Sequence, residues 1–335
     1  MKKYVNLFVF VFMIGACLSQ GRAQTKSAVS YKNPVVDIAM PDPTVIKAAD
    51  GYFYVYATES TRNVPIMKSK DLVEWTYCNT AFTNKTRPRF EPKAGIWAPD
   101  INYINGKYVL YYAMSVWGGE QTCGIGVATA NSPQGPFTDH GKMFRSNEIG
   151  VQNSIDPSLL QYEGRNYLVW GSFRGIYVIE LTTDGLSIMP GAKKKRIAGT
   201  AFEAVYIHKH GDYYYMFASI GSCCQGVKST YKVVVGRSKK VWGPYKDKTG
   251  KPMLKNGYSL VIGANDHFVG NGHGSQIIRD DAGQDWLLYH GFSRSIPENG
   301  RILLLDQIKW DQEGWPYVEG GSPSYETQKA PVFNN

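Results

Sequence analysis

Six histidines and five cysteines in 335 residues leave few groups for metal or thiol chemistry. Cys78, Cys123, Cys223 and Cys224 lie beyond the first segment, and none of them has the spacing of a zinc site. The adjacent pair Cys223 and Cys224 is expected as two packed thiols rather than a vicinal disulfide. Long apolar runs are missing as well, apart from Val5 to Ala16. That run follows Lys2 and Lys3 and is too short for an ordinary spanning helix. Residues 1–23 therefore read as a signal peptide, with cleavage after Ala23 or, through the lipobox-like "IGAC", lipidation at Cys17. An exported bacterial protein is expected, whether periplasmic, secreted or anchored at the outer membrane, with the lipid at Cys17 as its one membrane contact. Blocks of like charge are also absent. Net charge is +9, and the one basic run, Lys193 to Arg196, reads as a solvated loop, which argues against a nucleic-acid partner. No long amphipathic helical stretch occurs.

Aromatics are abundant, with 23 Tyr, 14 Phe and 8 Trp, a composition that supplies a large core and excludes a disordered chain. They fall in a recurring phrase. A turn glycine precedes a β-prone aromatic run that ends in small residues: "GYFYVYATES" from Gly51, "GKYVLYYAMS" from Gly106, "GRNYLVWGSF" from Gly164, "GDYYYMFASI" from Gly211 and "GQDWLLYHGF" from Gly283. A short partner strand lies upstream of each, so each phrase forms a hairpin near its glycine. Spacings of 55, 58, 47 and 72 residues leave room for two more strands per unit. For the last unit those strands are sought in "ILLLDQIKWDQEGWPYV". Four strands at a period near 50 is the pattern of propeller blades, so the fold class is all-β, a five-bladed β-propeller over residues 30–335. A β-sandwich would explain the short strands but not the fivefold phrase.

The first strand of each blade lines the central channel, so residues at its start converge at one mouth. The sequence puts Asp42, Asp100, Asp156 and Glu203 there, with His273 in the fifth unit. Asp-Pro is ordinary turn chemistry, yet an acid at one phase in four of five repeats exceeds what turns require. Converging carboxylates suit glycoside hydrolysis, in which one protonated acid serves the leaving oxygen and one carboxylate serves water. A third acid raises the donor's pKa by repulsion. The same oxygens would also suit Ca²⁺.

At these residues the chain resembles glycoside hydrolase family 43, on the ordered set "PDPTV", "WAPDI", "NSIDPSL", "FEAVYI" and "GHGS". The stretch "FASIGSCCQGVKSTYKVVVGRSKKVWGPY" is similar to the arabinan endo-1,5-α-L-arabinanase branch. The resemblance implies Asp42 as general base, Glu203 as general acid and Asp156 as the residue that tunes and orients the donor. Inversion is implied, with base and acid roughly 6.5–9.5 Å apart. His273 would hold a hydrated metal, Ca²⁺, beneath the site. Trp97, Gly118, Asn153, Ser172 and Phe173 resemble substrate-contact positions, and Asp100 stays outside the catalytic set. The implied substrate is plant cell-wall arabinan or arabino-oligosaccharide, acted on by a monomer. One departure stands out: Pro41 precedes Asp42 where arabinanases carry His, as in the xylosidase and arabinofuranosidase branches. An exo-acting arabinofuranosidase or xylosidase is thus the alternative, and a non-catalytic polysaccharide-binding propeller the second.

Overall fold

The computed structural model describes Met1 and residues 30–334. The signal segment and Cys17 lie outside the described residues. Four-stranded antiparallel sheets follow one another along the chain. Blade 1 runs through Thr44–Lys47, Phe53–Tyr56, Pro65–Ser69 and Thr76–Thr80; blade 2 through Gly95–Ile104, Lys107–Ser115, Gly124–Ala130 and Thr138–Arg145. Blade 3 comprises Ser158–Tyr162, Arg165–Trp170, Ile176–Glu180 and Lys195–Ala198, and blade 4 comprises Glu203–His210, Tyr213–Ile220, Lys232–Ser238 and Ser259–Ile262. The second strand of each blade is the aromatic phrase. Phe53 to Tyr56 are all buried, on both faces of the sheet. A strand sandwiched between two neighbouring blades has no solvent face, so it reads as a continuous apolar run rather than an alternation.

Blade 5 departs from the expectation. Its inner strand Phe268–Gly272 pairs with Asp285–Ser293, and that strand with Ile302–Trp310. The outermost place belongs to Val36–Ala39 from the start of the described chain, paired with Ile302–Trp310. The segment expected to fill it, around Pro316–Tyr317, makes only a two-residue pairing. Ser30–Tyr31 and Gln328–Lys329 add a second clasp between the two ends of the described chain.

Five large hydrophobic cores fill the gaps between consecutive blades, and the gap between blades 5 and 1 is one of them. It packs Met40, Val45 and Val55 against Trp286, Leu288 and Leu303. The other four gaps hold comparable clusters, such as Tyr54, Tyr56, Ile96 and Tyr112 between blades 1 and 2. Each such large side chain contributes about 1.5–3 kcal/mol by leaving water.

Candidate active site

Five residues with left-handed backbone mark the top of the channel, one per blade: Asp42 (φ 53°), Ala98 (φ 40°), Asp156 (φ 54°), Ala204 (φ 55°) and His273 (φ 47°). Non-glycine residues adopt this conformation at a cost, so its fivefold recurrence is a built feature. It also corrects the phase read from sequence. The residues equivalent to Asp42 and Asp156 are Ala98 and Ala204, so Asp100 lies two residues below the mouth and Glu203 one residue before it. Local register shifts within the Trp97/Asp100 and Glu203/Tyr206 stretches explain why simple spacing misaligned them.

Asp100 accordingly occupies a lower layer with Thr44 and Tyr206, the residues two beyond Asp42 and Ala204. It is buried (1% exposed). Its Oδ1 accepts from the Tyr206 hydroxyl at 2.5 Å and the Thr44 hydroxyl at 3.4 Å, and its Oδ2 from Asn102 and the Leu159 backbone N–H, each at 2.7 Å. Thr44 in turn reaches Gln276 of blade 5 at 3.3 Å. One net therefore ties all five blades beneath the mouth. Burial pushes the Asp100 carboxyl up to about 6 against the pull of these donors.

Above this net lies a cavity of about 390 Å³. Asp42, Asp156, Glu203 and His273 line it, together with Trp97, Gly118, Asn153, Ser172 and Phe173. Burial alone would raise the Asp42 carboxyl. Arg301 first, then His273, outweigh burial and hold it well below the usual carboxylate range. Arg301 Nη1 donates to Asp42 Oδ1 at 2.8 Å, and Thr58 Oγ1 donates to Oδ2 at 2.6 Å. His290 Nδ1 accepts the Asp42 backbone N–H at 3.0 Å, and burial with Arg301 keeps this imidazole neutral. His273 Nδ1 lies 3.3 Å from Asp42 Oδ1. Burial opposes charge on its ring, but Asp42 and then the other carboxylates win, raising its pKa.

Asp156 and Glu203 behave in the opposite way. Burial raises Asp156 to about 8, and the Glu203 charge adds to this. Burial likewise raises Glu203, partly countered by the Ser172 and Tyr231 hydroxyls. Two coupled carboxyls that both resist ionisation share a proton near neutral pH. The Ala204 backbone N–H donates to Asp156 Oδ2 at 3.2 Å, joining the two acids through the kink.

The expected substrate-contact residues divide in two. Asn153 Nδ2 donates to Ser172 Oγ at 2.9 Å, and Ser172 Oγ donates to Glu203 Oε2 at 2.5 Å, so both support the acid. Trp97 and Phe173 face the cavity, and Trp97 packs against Trp117 with ring centroids 5.5 Å apart. Trp117 is 78% exposed. Gly118 (φ 81°) is required by its backbone conformation, since a Cβ there would meet no atom within 4 Å.

Arg301, Thr58, Trp117 and His290 escaped the sequence reading. His290 had a signal: it stands at the eighth place of the fifth repeat phrase, where the others carry the small residues Thr58, Ala113, Gly171 and Ala218. Cys223 and Cys224 also line the cavity, and they form a disulfide rather than two thiols. Cys78 and Cys123 are free.

A metal at His273 would meet a sparse donor set. Nδ1 lies 3.3 Å from Asp42 Oδ1, which leaves Nε2 as the ring nitrogen to face an ion. Calcium prefers six to eight oxygens, so the residues fit an ion held by Nε2 as one ligand and by water. A separate cluster, His208, His210 and Asp285, has ligand atoms within 4.8 Å of one another. There both Asp285 oxygens already accept from Arg279, and Oδ2 also from Trp310. Both imidazoles stack on Trp310, so the cluster is a stacked ionic network.

Residues 31–316 match the family model described as Glycosyl hydrolases family 43. The chain is 37% identical over 290 residues to the extracellular endo-alpha-(1->5)-L-arabinanase 1 of Bacillus subtilis (strain 168), covering 82% of this chain and 86% of that protein. It is 36% identical over 307 residues to the extracellular exo-alpha-(1->5)-L-arabinofuranosidase ArbA of Cellvibrio japonicus (strain Ueda107), covering 83% and 86%. Among solved structures, a Cellvibrio cellulosa alpha-L-arabinanase complexed with arabinohexaose superposes with a TM-score of 0.77 at 34% identity, covering 86% of this chain and 98% of that one.

Proposed function

The chain belongs to glycosyl hydrolases family 43, and on that premise we infer how its cavity works. The protein is a glycoside hydrolase that cleaves α-1,5-L-arabinofuranosidic bonds in arabinan and arabino-oligosaccharides. One arrangement carries the assignment of roles: within one cavity the Arg301 guanidinium sits on Asp42 and holds its carboxyl low, while burial beside each other raises the Asp156 and Glu203 carboxyls. Carboxylates driven apart in this way divide into base and acid.

Asp42, with Arg301 and Thr58 fixing its two oxygens, accepts a proton from the attacking water. The water oxygen bonds to the anomeric carbon as the glycosidic C–O bond breaks. The leaving oxygen takes the proton of Glu203, which Ser172 orients. Asp156 keeps that proton available towards neutral pH. The result is a single displacement with inversion. A hydrated Ca²⁺ at His273 Nε2 would supply positive charge beneath the carboxylates, and no step depends on it. The enzyme is exported, a reading supported by the extracellular relatives.

We read the action as endo. The exo reading draws support from the exo-acting relative at nearly equal identity and from Pro41. Time-resolved product analysis on linear, debranched and branched arabinan, with xylan alongside, separates the two. Mixed oligosaccharides appearing early support endo action, whereas a single short product from the outset supports exo action. Equal or faster release from xylan would overturn the arabinan assignment.

A further inference from the structure

The loop over residues 221–230 springs from both sides of the acid. At one root, Ser219 pairs with Glu203 across the sheet. At the other, the Tyr231 phenol lies against the Glu203 carboxyl. The loop is braced from within. The Thr230 and Tyr231 backbone N–H groups donate to Ser222 O at 3.0 and 3.1 Å, and Gln225 N–H donates to Ser229 Oγ at 2.9 Å, with Ser229 buried. Near its start stands the Cys223–Cys224 disulfide, which lines the same cavity as the three carboxylates. Cys223 is half-buried and Cys224 exposed.

A disulfide presents polarisable sulfur with no proton to donate and no charge to gain. Thiols at the same place would do both, and an exporting compartment keeps the pair oxidised. Soft, apolar sulfur suits the C–H face of a sugar ring. Its position selects which sugar. Glu203 protonates the leaving oxygen, so the ring beyond that oxygen lies beside whatever flanks Glu203.

We propose that the Cys223–Cys224 disulfide is a contact surface for the arabinofuranosyl unit on the leaving-group side of the scissile bond. This rests on the arabinan reading given above. The loop's hydrogen bonds hold the surface in place, so little ordering cost falls on binding.

Calorimetric titration with arabinotetraose tests it, using Asp42→Asn protein so that the ligand survives. Combining that change with Cys223→Ser and Cys224→Ser is expected to weaken binding about tenfold, equivalent to about 1.4 kcal/mol. Reducing the disulfide with a phosphine in the Cys-intact protein is expected to give the same loss, reversed on reoxidation and absent from the double-serine protein. This second measurement needs no substitution at the loop. In the otherwise native enzyme, KM for arabinotetraose should rise while the pH limbs of kcat/KM stay in place, because the contact is with sugar and not with Glu203. Equal affinity in oxidised, reduced and double-serine proteins would overturn the proposal. So would a reductant effect that persists without the cysteines. Failure of the Asp42→Asn parent to bind arabinotetraose would overturn the substrate reading, and this proposal with it.

Discussion

Arg301 and Asp42 meet at 2.8 Å although 259 residues separate them in the chain. Arg301 is the foremost of the groups that overcome burial and depress the Asp42 carboxyl. A depressed pKa keeps the base ionised, and its activity is lost as pH falls through that pKa. Arg301→Met raises it, so the acid limb of kcat/KM moves to higher pH. Activity on linear arabinan at pH 5 is expected to fall about tenfold or more, with a smaller loss at pH 7. An acid limb that does not move would show that Arg301 leaves the base untouched.

Removal of the reacting carboxyls themselves has a larger effect. Asp42→Asn and Glu203→Gln are each expected to lower kcat by about 10²–10⁴ while the melting temperature stays near that of the parent. Reducing-sugar release from linear arabinan measures this. Parent-level rates in either variant would refute its role.

Asp156→Asn and Ser172→Ala should move the alkaline limb in opposite directions. Activity needs the donor proton, which the pair keeps to higher pH than an isolated carboxyl because burial raises both groups and the Glu203 charge raises Asp156 further. Asn at 156 ends the sharing, so the proton is lost sooner and the limb moves to lower pH. Ser172 stabilises ionised Glu203. Alanine removes that hydrogen bond, raises the carboxyl further and carries the limb to higher pH, with a several-fold loss of kcat from poorer orientation. Shifts of the same sign in both variants would contradict the assignment. Initial-rate profiles from pH 4 to pH 9 suffice to decide.

Asp100 belongs to stability rather than catalysis. Its two oxygens accept four donors drawn from blades 1, 2, 3 and 4. Asn offers only one acceptor oxygen and turns an NH₂ towards two of those donors. Asp100→Asn is expected to cost about 2–3 kcal/mol and lower the melting temperature by several degrees, with kcat/KM near parent below the transition. The pH trend follows from the sign of its shift. A carboxyl raised to about 6 from 3.8 in the fold stabilises most when protonated, below its unfolded pKa. That contribution is lost as pH rises through about 6. Thermal melts at pH 5 and pH 7 should show a larger deficit for the Asn variant at the lower pH.

The repeat phrase made the blades legible because it is local: turn glycine, aromatic strand and small terminus all lie within about ten residues. Asp42 and Asp156 were legible for the same reason, since each precedes a proline at the kink. Glu203 was found through its order in the chain, although its phase was misjudged. The kink at Ala204 displaces it by one residue, and composition does not announce such a shift. Asp100 was set apart from catalysis by resemblance, and its lower layer became visible only from the backbone. Arg301 and the Val36–Ala39 closure were missed because both depend on pairing across more than 250 residues, for which no local pattern exists. The disulfide was misjudged because adjacent cysteines read the same whether joined or free.

The strand that closes blade 5 has a bearing on when the enzyme becomes active. Val36–Ala39 is made early and its partner Ile302–Trp310 late. Asp42 follows that strand by three residues, and the groups that keep it ionised, Arg301 and His273, both lie in the blade completed last. A nascent chain of four blades would already hold Asp156 and Glu203, yet its base would lack the charges that make it a base. Catalytic competence is thus tied to completion of the ring. A chain truncated before His273 would carry its carboxyls without their counter-charges, and stay silent towards polysaccharide.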